Sequence, residues 1–228
     1  MRESNIDSSM GSPSSVRKRP KGYRPKVRRI PAKLPLSNEE ERLVIEEAGR
    51  LTWNLRSAIR RNGSYRPNFE DNLTSDWAQK CVLFALRSGI HPSVIGTLSS
   101  ANLVWDDDAG EEVLVYHRPK TQRLLKWLPA NDCKPWLAAW LDQPKPSSPG
   151  QYYRIFRRVG DAVGRRLGRP FHFGPLRARH TALARFYHDH NLTAEETSSM
   201  AGTTLRTLQT YARRGFVDVV KKLREDGY

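Results

Sequence analysis

Apolar positions first take on a helical rhythm near Leu36. Ser37 with Glu40 three residues on forms a capping box, and Glu39, Glu40 and Glu41 crowd the turn that follows, where the positive end of a helix favours them. Leu43, Val44, Leu51, Leu55 and Ile59 then recur at three- and four-residue spacing, which predicts a helix that stops near Gly63. Residues 62–72 read as a loop. Ser75 is placed to cap a second helix, WAQKCVLFALRS, whose largely apolar content predicts burial and whose end falls at Gly89. Ile90 to Ser93 read as a turn, with Pro92 opening a short helix through Leu98.

The period changes between 102 and 128. Leu103–Trp105, Glu112–His117 and Leu124–Leu128 predict three short antiparallel strands, joined by a turn over Asp106–Gly110 and another over Pro119–Gln122. Asn131 or Asp132 should cap the next helix, which holds Trp136, Leu137, Trp140 and Leu141. After the loop DQPKPSSPG comes a basic helix, Tyr152 to Leu167, and then Gly174-Pro175 opens a helix with Leu176, Leu183 and Phe186 on one stripe. Arg179 sits on or beside that stripe. A further helix ends at Gly202, another delivers Tyr211, and FVDVVKKLREDGY reads as a terminal amphipathic helix. The expected fold is mainly α with a small antiparallel three-stranded sheet. It shows no doubly wound pattern and no Gly-rich phosphate loop.

Charge changes the picture. The chain of 228 residues carries a formal +15, which points to a polyanionic partner, nucleic acid before an acidic membrane surface. Much of that charge lies in residues 1–35, a stretch rich in Ser, Pro and basic residues that cannot bury enough surface to order itself. We read it as a disordered basic N-terminal arm whose Arg17, Lys18, Arg19, Arg28 and Arg29 meet DNA phosphates. Residues 36–228 read as one domain. Cys81 and Cys133 show no metal-type spacing and no disulfide framework, which fits an intracellular setting. No apolar run is long enough for a signal peptide or a membrane span, and no metal site is expected.

Two residues carry candidate chemistry. An arginine among apolar positions is costly unless it meets something anionic, and its fork can grip a phosphate with two parallel hydrogen bonds. Tyr211, about thirty residues later, is a poor nucleophile at neutral pH unless cations surround it, as Arg179, Lys120 and Arg213 could. In order along the chain, SGIHPSVIGTL, RPKTQRLLKWLP, LRARHTALARF and AGTTLRTLQTYAR resemble the boxes of the tyrosine recombinase (phage integrase) catalytic domain. The resemblance covers residues 36–228. It implies Tyr211 as nucleophile, Arg179 as a phosphate-clamping arginine and Lys120 as general acid on a hairpin. It sets His91 at the place of the family's first arginine, Leu176 at that of a histidine, and Thr203 at that of a histidine or tryptophan. Arg177, His180, Arg206 and Arg213 lie close in sequence and are expected on the DNA.

The implied activity is DNA integration or recombination through a 3′-phosphotyrosine, metal-independent and without a cofactor. The implied partner is double-stranded DNA bound by a homo-oligomer, a dimer or tetramer. The setting implied is cytoplasm or nucleoid, with a virus, plasmid or other mobile genetic element as the source. A second reading stays open: LTAEETSSMAGTTLRTLQTYARR also resembles a helix-turn-helix, so a decayed recombinase or other non-catalytic DNA-binding protein would look the same.

Overall fold

A computed structural model describes residues 34–51, 74–118, 123–146, 149–190, 192–206 and 208. The fold is mainly α with one three-stranded antiparallel sheet in chain order β1-β2-β3.

Helix α1 (Asn38–Arg50) starts as its residues dictate. Ser37 accepts from the Glu40 N–H while the Glu40 carboxylate accepts from the Ser37 N–H. It ends earlier than periodicity predicts. Leu51 is already extended at ψ 125°, and its carbonyl accepts from Ser75 Oγ at 2.8 Å instead of from a helical N–H. Leu55 and Ile59 lie outside the described residues. Ser75 is thereby spent, so the cap of α2 (Ser75–Ser88) falls one residue earlier, on Thr74, whose hydroxyl accepts from Trp77 N–H. Helix α2 closes on Gly89 at φ +62°, the left-handed conformation that favours glycine.

The short α3 (Pro92–Ile95) and a 3-10 turn at Ser100–Asn102 lead into β1 (Leu103–Asp106), β2 (Glu111–His117) and β3 (Leu124–Trp127). Leu103 faces Leu114, which faces Trp127. Residues directly opposite share a face, so Leu103, Leu114, Tyr116, Leu125 and Trp127 line the side packed on the helices. Helix α4 (Lys134–Leu141) begins at Cys133 rather than at Asn131 or Asp132. The Asp132 carboxylate is taken by Arg87 Nε at 2.8 Å, so it is not available as a cap. Helix α5 (Pro149–Leu167) starts three residues before its expected beginning and buries Tyr152, Ile155, Phe156, Val159 and Val163 at helical spacing. Phe84 joins sheet to helices, 5.3 Å from Trp127 edge-on and 5.2 Å from Trp140.

Helix α6 (Pro175–His188) is where the apolar stripe misleads. Leu176 and Phe186 are only half-buried, whereas every residue from Ala178 to Ala184 is buried. The helix is enclosed on all sides in its middle turns, which a one-stripe reading cannot express. Its flanks are tied down by charge. Glu41 of α1 is 3% exposed and lies 2.7 Å from Arg87 of α2 and 2.6 Å from Arg185 of α6. Helix α7 (Ala194–Met200) starts with the Thr193–Glu196 capping box. It ends in a Schellman turn: Gly202 at φ +57°, Gly202 N–H to Ser199 O at 3.1 Å, and Thr203 N–H to Ser198 O at 2.9 Å. A Cβ on Gly202 would lie 2.4 Å from Leu125 Cδ1, so this turn is pressed against β3. No described helix is long and apolar enough to cross a membrane.

Two outcomes follow for stability. Glu41→Gln leaves Arg185 without this carboxylate and Arg87 with Asp132 alone; we expect a loss of about 3 kcal/mol, the low end for breaking a buried pair, in urea unfolding. Gly202→Ala forces an L-residue into the left-handed region and displaces Leu125; a loss of about 1–2 kcal/mol is expected in the same measurement, and an unchanged midpoint would contradict the close approach.

Candidate active site

Arg179 is 7% exposed, an unusual place for a guanidinium. Its Nη1 donates to the carbonyl of Gly89 at 2.5 Å and its Nη2 to the carbonyl of Ala201 at 2.7 Å. These two carbonyls belong to the ends of α2 and α7. Helix C-termini carry partial negative charge on carbonyls that have no helical partner, so a buried cation there is stabilised twice over. Both ends turn on a left-handed glycine, Gly89 and Gly202. At Gly89 the approach is close enough that a Cβ would meet Ala182 Cβ at 3.1 Å.

The arginine thereby gathers two other candidates. His91 lies two residues beyond Gly89 and Thr203 two beyond Ala201, so each backbone lies within about 7 Å of a gripped carbonyl. His91 is exposed. Thr203 is nearly buried, its N–H bonded to Ser198 O and its carbonyl accepting from Ser198 Oγ at 2.6 Å. A guanidinium carries five N–H donors, and the two carbonyls take up one from each terminal nitrogen. Tyr116 reaches the same region from β2. Burial pushes its phenol up to about 12, while the charges of Arg179 and Arg118 pull the other way. A phenol in that state stays protonated at neutral pH and is a donor, not a nucleophile.

Other candidates lie elsewhere. Arg177 turns to the start of α1: its fork donates to Leu34 O, His172 O and the Glu40 carboxylate at 3.0–3.1 Å, and it lies over the Phe171 ring at 4.8 Å. Desolvation holds its pKa below the usual arginine value. It is a clasp between α6 and α1, and those contacts engage the fork that the sequence reading assigned to DNA. Thr181 supports the clasp by accepting from Leu36 N–H at 3.0 Å. His180, beside Arg179 on α6, is buried, and Leu176 is half-buried. Arg206 is exposed on the turn after Thr204. Tyr211, Lys120, Arg213 and the arm residues Arg17, Lys18, Arg19, Arg28 and Arg29 lie outside the described residues.

Sequence reasoning missed two contributors. Ser198 has a hydroxyl that locks the Gly202–Thr203 turn, and nothing in its local sequence separates it from Ser199. Tyr116 was legible only as an alternating apolar strand position. Together the end of α2, the end of α7 and strands β2 and β3 surround one buried positive charge.

No family model matches the sequence, and no curated protein matches it either. Solved structures do match in fold. The XerA recombinase superposes with a TM-score of 0.59 at 13% identity, over 86% of this chain and 66% of that one. The XerH site-specific recombinase bound to palindromic difH substrate in a post-cleavage complex gives a TM-score of 0.60 at 12% identity, over 83% and 51%. The Tn1549 transposon integrase with circular intermediate DNA gives 0.56 at 12% identity, over 85% and 66%. This chain therefore spans about half to two thirds of the length of these structures. The likeness is one of fold: a mainly helical domain with a three-stranded antiparallel sheet, like the catalytic domain of tyrosine recombinases.

Proposed function

We propose that this chain is a site-specific DNA recombinase or integrase that cuts and rejoins strands through Tyr211. The observation that supports it most is the buried Arg179 at the junction of α2, α7 and strand β2, in a fold like that of DNA-bound recombinases. In this reading the Tyr211 phenol gives up its proton to solvent as its oxygen attacks a backbone phosphorus in line. The bond to the 5′ oxygen breaks, and Lys120 delivers the proton that makes the leaving group a 5′ hydroxyl. The tyrosine is left joined to the 3′ phosphate. A 5′ hydroxyl from another strand then displaces the tyrosine oxygen and restores the backbone, so no outside energy source enters. Arg179 supplies the fixed positive charge, with His91 and Thr203 as further donors. Arg206, Arg213 and the basic arm add contacts to double-stranded DNA, on which two or four copies assemble, whereas the burial of His180 withdraws it from that set. The protein acts where DNA is, in cytoplasm or nucleoid, as part of a mobile genetic element.

The non-catalytic reading has an observation of its own. Two donors of Arg179 are engaged with main-chain carbonyls, and Leu176 offers no donor where the resemblance sets a histidine. A site that lacks one preorganised donor gives up about 3 kcal/mol of transition-state stabilisation. Such a protein would bind DNA without cutting it.

The two readings separate on a nicked suicide duplex. The wild-type chain should form a covalent protein–DNA adduct on denaturing gels. Tyr211→Phe should form none while its DNA affinity stays within about twofold. Binding with no adduct on any duplex would favour the non-catalytic reading. His91→Arg restores a charged fork and should raise the rate of adduct formation about tenfold, equivalent to ~1.4 kcal/mol of barrier. An unchanged or lower rate would remove His91 from the clamp.

A further inference from the structure

One stretch of this cationic chain has the opposite character. Residues 105–112, WDDDAGEE, hold five carboxylates and no base. The exposed tryptophan among them is what makes the stretch more than a solvated turn. Trp105 is 64% exposed and its neighbour Val104 48%, on β1, which is an edge strand of the sheet. Large apolar side chains on an open edge are a liability unless something covers them. Trp105 lies directly opposite Glu112 across the ladder, so the indole and that carboxylate share one face.

They also share a cleft of about 250 Å3, with Gly110, Glu111, Pro129, Lys134 and Leu137 completing its wall. This volume is below that of ordinary small-molecule pockets and suits a single side chain. At its rim Glu111 is paired with Lys134, and Asp106 is paired with Lys126 on β3. Among the described residues no cation pairs with Glu112, and Asp107 and Asp108 stand exposed in the turn that joins β1 to β2. An aromatic face, an adjacent carboxylate and an apolar wall are what a guanidinium or ammonium on an apolar stem requires.

We propose that the Trp105–Glu112 cleft is a docking site for an arginine- and lysine-rich peptide segment. One basic side chain lies over the indole against Glu112, and its neighbours follow the exposed carboxylates of the β1–β2 turn. The segment is extended, since the cleft opens beside an edge strand. Charge complementarity selects this occupant: the chain as a whole repels a basic peptide, so only a local feature can hold one. The site is separate from strand cleavage, and its test contains no DNA, so the two proposals stand or fall independently.

The test uses the full chain and a fluorescein-labelled peptide with the sequence of residues 15–33, SVRKRPKGYRPKVRRIPAK, followed by anisotropy at low salt. Wild-type protein should bind it. Trp105→Ala and Glu112→Gln should each weaken binding about three- to fivefold. Asp161→Asn, which removes an exposed carboxylate on α5, should leave binding unchanged. Glu112→Gln keeps side-chain volume, so it carries the test if Trp105→Ala fails to fold. No binding by wild type, unchanged binding by Glu112→Gln, or an equal loss in Asp161→Asn would each overturn the proposal.

Discussion

The fold turns on one guanidinium and the two carbonyls it holds. Arg179 takes the last carbonyls of α2 and α7, groups that a helix leaves without partners. Two helices that are far apart in sequence therefore end on the same side chain, and each end is followed by a left-handed glycine that redirects the chain. His91 and Thr203 emerge from those turns. The buried charge is tolerable because helix ends are negative, and the helix ends are satisfied because the charge is there. Neither would be stable in this interior alone.

A second set of charges holds the frame around it. Glu41 links α1 to α2 and α6 through Arg87 and Arg185. Arg177 ties α6 to the start of α1 through Glu40 and Leu34. Helix α6 is thus anchored on both flanks while its buried middle carries Arg179. Several arginines of the described helices are thus spent on structure, meeting acids or main-chain carbonyls within the fold. The converse holds at β1–β2, where acids cluster outside around an exposed tryptophan.

Legibility followed the range of the interaction. The capping box at Ser37, the glycine stop at Gly89 and the three short strands were readable because each is settled within a few residues. The errors at element ends had distant causes. Leu51 left the helix for a bond to Ser75, Thr74 replaced Ser75 as cap, and Asp132 lost its capping role to Arg87. Each time a polar group that could have served its own helix found a partner in another one. The candidate site divides the same way. Arg179 drew notice because an arginine on an apolar stripe needs a counterpart, but the counterpart was a pair of carbonyls.

What the amino-acid order determined by itself was the succession of helices and strands among the described residues, the strong positive charge, and the attention drawn to Arg179 and Tyr211. Local hydrogen bonding and hydrophobic period suffice for these. Only the tertiary structure decided that the ends of α2 and α7 meet at one guanidinium, that Arg177 serves α1, and that Trp105 stands beside Glu112. Such meetings depend on segments separated by many residues, and no local preference encodes which of several equally polar groups will find the other.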